Sequence, residues 1–198
     1  GIARLYLDHL SFLRKEAAIR QILPRLREYG HSVNIWSMGV ENFSDQENER
    51  FNKGLRLDEI VEASTKLAAL EKDFPDTFHF TKHGGFGFIL FTPWTTIADL
   101  KINLKYVRRL NLSNMEFICR TRLQLLPGRP ITQMAHMEGL IVDHFSDHSF
   151  DSGCMADVGD YEYSWRFLNP EVETVFRMVR RLNPSSEIPA DDSDYLLI

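Results

Sequence analysis

The sequence predicts an α/β protein built on a parallel β-sheet, on two observations. Strand-like and helix-like segments alternate from about residue 30 to residue 126, and Gly87 to Phe91 is apolar on both faces. Alternation of that kind implies βαβ crossovers, and a strand apolar on both faces is what a sheet covered on both sides requires. The 198 residues are enough for one ordinary domain, and 43% apolar with 12% aromatic residues are enough for a core.

Taken in order, Leu5 to Tyr29 carries apolar positions at Leu10, Leu13, Ala17, Ile22, Leu23 and Leu26, which predicts one or two helices, with a break or a new first turn at Pro24. Gly30 ends that segment, and His31 to Val40 alternates with Val33 and Ile35 on one face, as a short strand does. Ser44 followed three residues later by Glu47 is a capping-box pattern, so a short helix is expected from Asp45 to about Asn52, closed by Gly54. Leu57, Ile60, Val61, Ser64, Leu67 and Ala68 then fall at helical spacing, with Asp58, Glu59 and Glu62 in the early turns where the helix dipole favours acids. That helix should end near Asp73 and Pro75.

Gly87 to Phe91 is the next strand, and Thr95, Thr96 and Asp99 open a helix through Leu100, Leu104, Val107 and Leu110. Met115 to Leu126 reads as a further strand. Pro127, Gly128 and Pro130 form a turn before a short helix over Ile131 to Glu138. Val142 to Glu162 is polar and aperiodic, Pro170 to Leu182 restores a helix with Val172, Val175, Phe176 and Val179 inward, and the residues from Pro184 onward read as a tail. The expected division is residues 1–130 as the sheet-bearing unit and 131–198 as a C-terminal extension.

Several functions are disfavoured. Net charge is −5 with Lys and Arg dispersed, which gives no footprint for a phosphate backbone, so nucleic acid is not the expected partner. No run reaches the roughly 20 apolar residues that cross a bilayer, and no signal-peptide pattern opens the sequence, so the expectation is a cytoplasmic protein without a membrane partner. The two cysteines, Cys119 and Cys154, fit neither a disulfide framework nor a metal spacing and read as free thiols. Three or four thiolates for an iron–sulfur cluster are not present. His136, His144, His148 and Cys154 with Asp143, Asp147 and Asp151 suggest a metal cluster only if 144–148 is helical, and the surrounding Asp, Ser and Gly argue against that, so no metal site is expected.

Three segments carry more information. Gly39-Val40-Glu41-Asn42-Phe43-Ser44 is followed by Phe51-Asn52-Lys53-Gly54; Phe88-Ile89-Leu90-Phe91-Thr92-Pro93-Trp94-Thr95-Thr96 is followed by Asp99-Leu100; and Leu126-Pro127-Gly128-Arg129-Pro130-Ile131 comes last. The first resembles a Gly-Val-Glu-Ser or Gly-Val-Gln-Ser strand end with a basic residue after the next short helix. The second is similar to an apolar strand running into Gly-x-Pro-Gly-Glu-Thr, and the third to a Pro-Gly-Thr-Pro-Leu turn. In that order, over roughly residues 30 to 140, the set resembles the radical S-adenosylmethionine (radical SAM) enzymes, in particular their cobalamin-binding branch.

The resemblance implies the C-terminal half of a partial (β/α)6 barrel with parallel strands, with sites at the strand C-termini. The strands near Val33–Val40, Gly87–Phe91 and Met115–Leu126 would be its fourth, fifth and sixth. It implies S-adenosylmethionine as cofactor, with Glu41 meeting its polar groups and Lys53 its aminoacyl carboxylate. Ser37 would face the ribose, and Thr92 and Trp94 would lie beside the adenine, Trp94 replacing a glycine and offering an indole for stacking. His83, Arg120 and Arg122 are the substrate-binding candidates, Arg for an anionic group; His79 is a neighbouring histidine more simply read as solvent-facing. The plainer reading is that Glu41 caps the helix start at Asp45 and Lys53 pairs with a helix dipole.

The Cys-x-x-x-Cys-x-x-Cys loop of the family is not in these residues. A [4Fe-4S] cluster would therefore come with an N-terminal segment, and cobalamin would bind upstream in a parent protein. The expected function is part of the cosubstrate and substrate cradle of a radical SAM enzyme acting on a small molecule, inert as an isolated piece. The expected partner is the N-terminal half of the same barrel or a second copy of the chain. The alternatives are a non-catalytic half-barrel that associates through its strand edges, and an ordinary α/β ligand-binding domain.

Overall fold

The computed structural model describes residues 1–80, 86–110, 112, 119, 121–143 and 162–182. Strand β1 (Ile2–Asp8) passes directly into α1 (His9–Glu28), followed by β2 (Ser32–Glu41), α2 (Asp45–Arg50) and α3 (Leu57–Asp73). Then come β3 (Phe78–Phe80), β4 (Phe86–Phe88), α4 (Ile97–Arg109), α5 (Pro130–Met137), β5 (Ile141–Asp143), β6 (Ser164–Trp165) and α6 (Pro170–Leu182).

The expected parallel sheet is present. β2 is central: β1 pairs along one edge from Ser32 to Gly39, while β3 and β4 pair in parallel with Val33–Ile35 and with Met38–Glu41. Because β1 occupies one edge over that whole length, β3 and β4 share the other, end to end. Beyond them Phe91 pairs in parallel with Arg122, its N–H donating to the Thr121 carbonyl at 3.1 Å and its carbonyl accepting from Leu123 N–H at 2.8 Å. Spatial order thus follows chain order without reversal. A parallel sheet wound in one direction keeps its right-handed crossovers on one face, and the cores agree. Phe12 and Leu23 of α1 pack with Leu67 and Leu70 of α3 and with Val33 and Ile35 of β2. Ile60 of α3 packs with Val107 of α4, Val40 and Phe88.

Four sequence expectations need correction. Residues 2–8 are a strand: Leu5 and Leu7 point to the core with period 2, and only from His9 does the helical period begin. The switch lies at Asp8, whose carboxylate accepts from Ser11 N–H at 2.7 Å as a helix N-cap. α1 is one helix, continuous through Pro24, which is exposed, so the Arg20 carbonyl that loses its intrahelical partner is not locked in the core. The strand expected over Gly87–Phe91 is shorter and starts one residue earlier, as β4 with a separate bridge at Phe91, and β3 is an additional strand before it. Of the strand expected from Met115, residues 113–118 lie outside the described residues, and the remainder contributes isolated bridges at Arg122 and Leu125.

C-terminal to these, β5 and β6 form an antiparallel pair that the sequence did not announce. A third core cluster joins Trp94, Leu123 and Leu125 to Ala135 and Leu140, so side chains from both sides of residue 130 share one apolar centre. No helix among the described residues is long and apolar enough to cross a membrane.

Candidate functional site

At the C-terminal ends of β1 and β2 a cleft of about 460 Å³ opens between Leu7, Asp8, Leu10, Gly39, Glu41, Lys53 and Leu55. Parallel sheets place ligands at this end because strand termini and loops converge there while the cores fill the remainder. Glu41 and Lys53, twelve residues apart in sequence, meet in this cleft with Nζ 3.1 Å from Oε1. The carboxylate is largely shielded and the ammonium is half exposed, with side-chain exposures of 17% and 53%. At that exposure the pair contributes at most about 1 kcal/mol to folding. Its value is chemical: a zwitterionic ligand can exchange this one ion pair for two, its ammonium or hydroxyls on Glu41 and its carboxylate on Lys53.

Backbone geometry fixes where Glu41 points. Its φ of 60° lies in the left-handed region, which costs a residue with a Cβ roughly 1–3 kcal/mol and persists only where surrounding bonds hold it. The turn coincides with a register shift between β2 and β4 at Gly39 and Glu41. Gly39 is small for a reason visible here, since a Cβ at that position would sit 3.1 Å from Glu41 Oε1. On the other side of the pair, Asn52, immediately before Lys53, is also left-handed at φ 51°.

Asp8 is a third charged group of the cleft, and the sequence reading passed over it. It stands in register with Gly39, and the Ser11 N–H bond holds its carboxyl below the usual carboxylate range, so it is ionised at neutral pH. The signal in the sequence is Asp8-x-x-Ser11, a cap spacing that is masked because Leu5, Leu10 and Leu13 also fit a helical period.

A buried polar network joins α2 to the segment between β4 and α4. Glu47 is fully buried: Thr92 Oγ1 donates to its Oε2 at 2.8 Å, and Arg50 pairs with its Oε1. Burial pushes the Glu47 carboxyl above its ordinary value against the opposing pull of Thr92 and Arg50. Ser44 Oγ donates to Asp99 at 2.5 Å. The capping box expected from Ser44 and Glu47 is therefore not formed. Helix α2 begins where expected, but both side chains turn inward to partners in the β4–α4 segment. The capping box of α4 is real, with Thr96 N–H donating to Asp99 Oδ2 at 2.9 Å and Asp99 N–H donating to Thr96 Oγ1 at 3.2 Å.

The other nominated residues fall elsewhere. Thr92 is buried on Glu47, and Trp94 is 4% exposed, its Nε1 donating to Glu138 at 2.6 Å with the Arg50 guanidinium 5.7 Å from its ring centre. Arg122 lies 2.9 Å from Glu162 in a buried ion pair beside the Trp165 ring; burial lowers the arginine's pKa and raises that of Glu162. His83 and Arg120 lie outside the described residues, as does the Ser37 side chain, although its backbone is part of β2. His79 and His136 are exposed. Cys119 is a free, half-buried thiol whose pKa burial pushes up. His144, His148, Asp147, Asp151 and Cys154 lie outside the described residues, and among those described no group of three or more His, Cys, Asp or Glu is placed to hold a metal ion.

No family model matches the chain, and no curated protein matches its sequence. Solved structures do match in shape. The cobalamin-dependent S-adenosylmethionine radical enzyme OxsB, with aqua-cobalamin and S-adenosylmethionine bound, superposes with a TM-score of 0.56 at 16% identity, over 90% of this chain and 28% of that one. The fold is similar to that of a segment of this enzyme. OxsB with aqua-cobalamin alone gives a TM-score of 0.54 at 16% identity, and apo, selenomethionine-labelled OxsB gives 0.54 at 15% identity over 98% of this chain and 32% of that one. The chain therefore spans about a third or less of the radical SAM enzyme it matches. In this chain the cleft is built on the singly wound parallel sheet, with Glu41 at the end of its central strand.

Proposed function

We infer that this chain supplies one wall of an S-adenosylmethionine site, as the C-terminal half of a partial (β/α)6 barrel in a radical SAM enzyme. The observation that carries the reading is the Glu41–Lys53 pair closing at 3.1 Å over a strand-end cleft. Its volume lies within the roughly 300–1,000 Å³ of small-molecule sites. The residues fit the nucleoside's aminoacyl end: Lys53 offers a point charge to a carboxylate, and Glu41 and Asp8 accept from an ammonium or from ribose hydroxyls. When bound, S-adenosylmethionine supplies the carbon at which radical chemistry begins in this enzyme class. What this chain does is bind and orient it.

The residues do not fit a [4Fe-4S] cluster, because two cysteines cannot supply three thiolates and Cys119 is held protonated by burial. In this reading the cluster's ligands come from outside these 198 residues. OxsB binds cobalamin; no residue of this chain is proposed for it. Thr92 and Trp94 keep a place as the shelf behind the adenine, and Arg122 as a positive group near a small-molecule substrate. The protein is proposed to work in the cytoplasm.

Calorimetric titration of the intact protein with S-adenosylmethionine tests the reading. Glu41→Ala and Lys53→Ala are each expected to weaken binding about tenfold or more, the worth of a charge-assisted hydrogen bond, with unchanged circular dichroism. Wild-type affinity in both variants rules the cradle out.

A second reading, self-association, rests on β1, which among the described residues pairs with β2 alone and so presents an open edge. A dimer in gel filtration that dissociates when Pro replaces Leu5 is the expected result if that edge is used; a monomer at all concentrations removes it.

A further inference from the structure

Asn42 follows Glu41 directly, is fully buried, and has both polar atoms of its side chain hydrogen-bonded. Its Nδ2 donates to the Ile89 carbonyl at 2.7 Å, one residue beyond β4, while the Ile89 N–H donates to the Glu41 carbonyl at 2.6 Å. Its Oδ1 accepts from Ser44 N–H at 2.8 Å and from Asn103 Nδ2 at 2.9 Å. Asn103 Oδ1 in turn accepts from Phe43 N–H at 2.9 Å. The side-chain amide thus continues the ladder between β2 and β4 past the point where the left-handed turn at Glu41 ends the backbone ladder.

The same residue reaches the other half of the pair. Its carbonyl accepts from Asn48 Nδ2 at 2.7 Å, and the Asn48 carbonyl accepts from Lys53 N–H at 3.4 Å, at the turn where Asn52 is left-handed. Two strained backbone turns, one under each charged residue, are tied to one residue, the first through the Asn42 side-chain amide and the second through its main-chain carbonyl. We propose that Asn42 is the positioning residue of the strand-end pair: it holds Glu41 in its left-handed turn and, through Asn48, holds the Lys53 turn against it. The function assigned to this device rests on the reading of Glu41 and Lys53 as ligand contacts; its geometry does not.

Asn42 touches no ligand in this proposal, so the test must read the position of the pair. A carbodiimide condenses the Glu41 carboxylate with the Lys53 amine into an amide, the lost oxygen leaving on the urea, and only groups already in contact react well. In the full chain, peptide mass spectrometry should find the Glu41–Lys53 link in wild type. Asn42→Asp keeps an acceptor oxygen but turns the donor to Ile89 into a second acceptor, and the yield should fall about tenfold in protein that remains folded by circular dichroism. Asn103→Ala, which leaves the Asn42–Ile89 bond in place, should give an intermediate yield, and it decides the matter if Asn42→Asp does not fold. Wild-type yield in the folded variant overturns the proposal.

Binding adds a second readout. If Asn42 acts through Glu41, Glu41→Ala and the double variant with Asn42→Asp bind S-adenosylmethionine equally weakly; independent, additive losses overturn the proposal. A wild type that does not bind the nucleoside defeats the proposed function, while the coupling yield still decides whether Asn42 sets the pair.

Discussion

Glu47→Ala is expected to destabilise the protein by about 3 kcal/mol, the low end of the cost of breaking a buried ion pair, because the carboxylate is fully buried while Arg50 is partly exposed. The substitution strips Arg50 of its counter-ion and leaves the Thr92 hydroxyl without the acceptor it donates to at 2.8 Å. Those losses are not confined to α2. Thr92 Oγ1 also accepts from Trp94 N–H, and the Thr92 N–H donates to Thr95 Oγ1, so the loop between β4 and α4 is built around the same hydroxyl. Urea unfolding of wild type and variant measures the difference. A loss below about 1 kcal/mol, the worth of an exposed pair, would mean that the network is not buried as described.

The same residue gives stability a pH dependence of a definite sign. Because burial raises the folded-state pKa of Glu47 above its ordinary 4.5, the native protein binds more protons than the unfolded chain between the two values. Its favourable contribution is complete below the unfolded value and is lost as pH rises through the raised one. Glu47→Gln cannot ionise. The stability of the glutamine variant relative to wild type should therefore improve as pH is raised across that window, and a difference that moves the other way would assign the stabilising state to the carboxylate.

Most of the helical frame was legible because its signals are local. The stripe Leu57, Ile60, Ser64 and Leu67 and the cap at Thr96 and Asp99 depend on neighbours three or four residues away, and α3 and α4 lie where those patterns put them. β1 was not legible. Leu5, Leu7, Leu10 and Leu13 can be threaded on either period, no Gly or Pro marks the junction, and what makes residues 2–8 a strand is pairing with β2 some 30 residues away. The capping-box pattern at Ser44 and Glu47 failed for a related reason. Both side chains found buried partners in residues 92–99, and a distant partner outweighed the local one.

Within the site, the spacing of Glu41 and Lys53 came from likeness to a strand-end pattern, and nothing local in the sequence shows that the two side chains meet. Their meeting requires two left-handed residues that are not glycine, Glu41 and Asn52, a backbone state that composition does not announce. Asp8 escaped for lack of the strand that carries it. Thr92 and Trp94 were legible as members of a loop after a strand, but their inward direction follows from Glu47 and Glu138, both distant in sequence.

Phe91→Ala should cost at least as much as Glu47→Ala and differ in what it releases. Phe91 is 1% exposed, with the Phe176 ring 4.9 Å away nearly edge-on and the Phe167 ring at 6.1 Å, so deletion of its ring is expected to cost about 3–5 kcal/mol. Its backbone binds Thr121 and Leu123, its ring seats α6, and nearby Leu168 N–H donates to the Pro93 carbonyl and Asn169 Nδ2 to the Thr95 carbonyl, both at 2.8 Å. The C-terminal helix is thus fastened to the same strand end that carries Thr92 and, through it, Glu47. If that fastening is integral to the sheet, wild type melts in a single transition, and Phe91→Ala lowers its midpoint while amide exchange quickens in α6 and across residues 90–95 together. Faster exchange in α6 alone, with the sheet unaffected, would show instead that the residues beyond 130 are a separable cover and that the cleft at Glu41 stands without them.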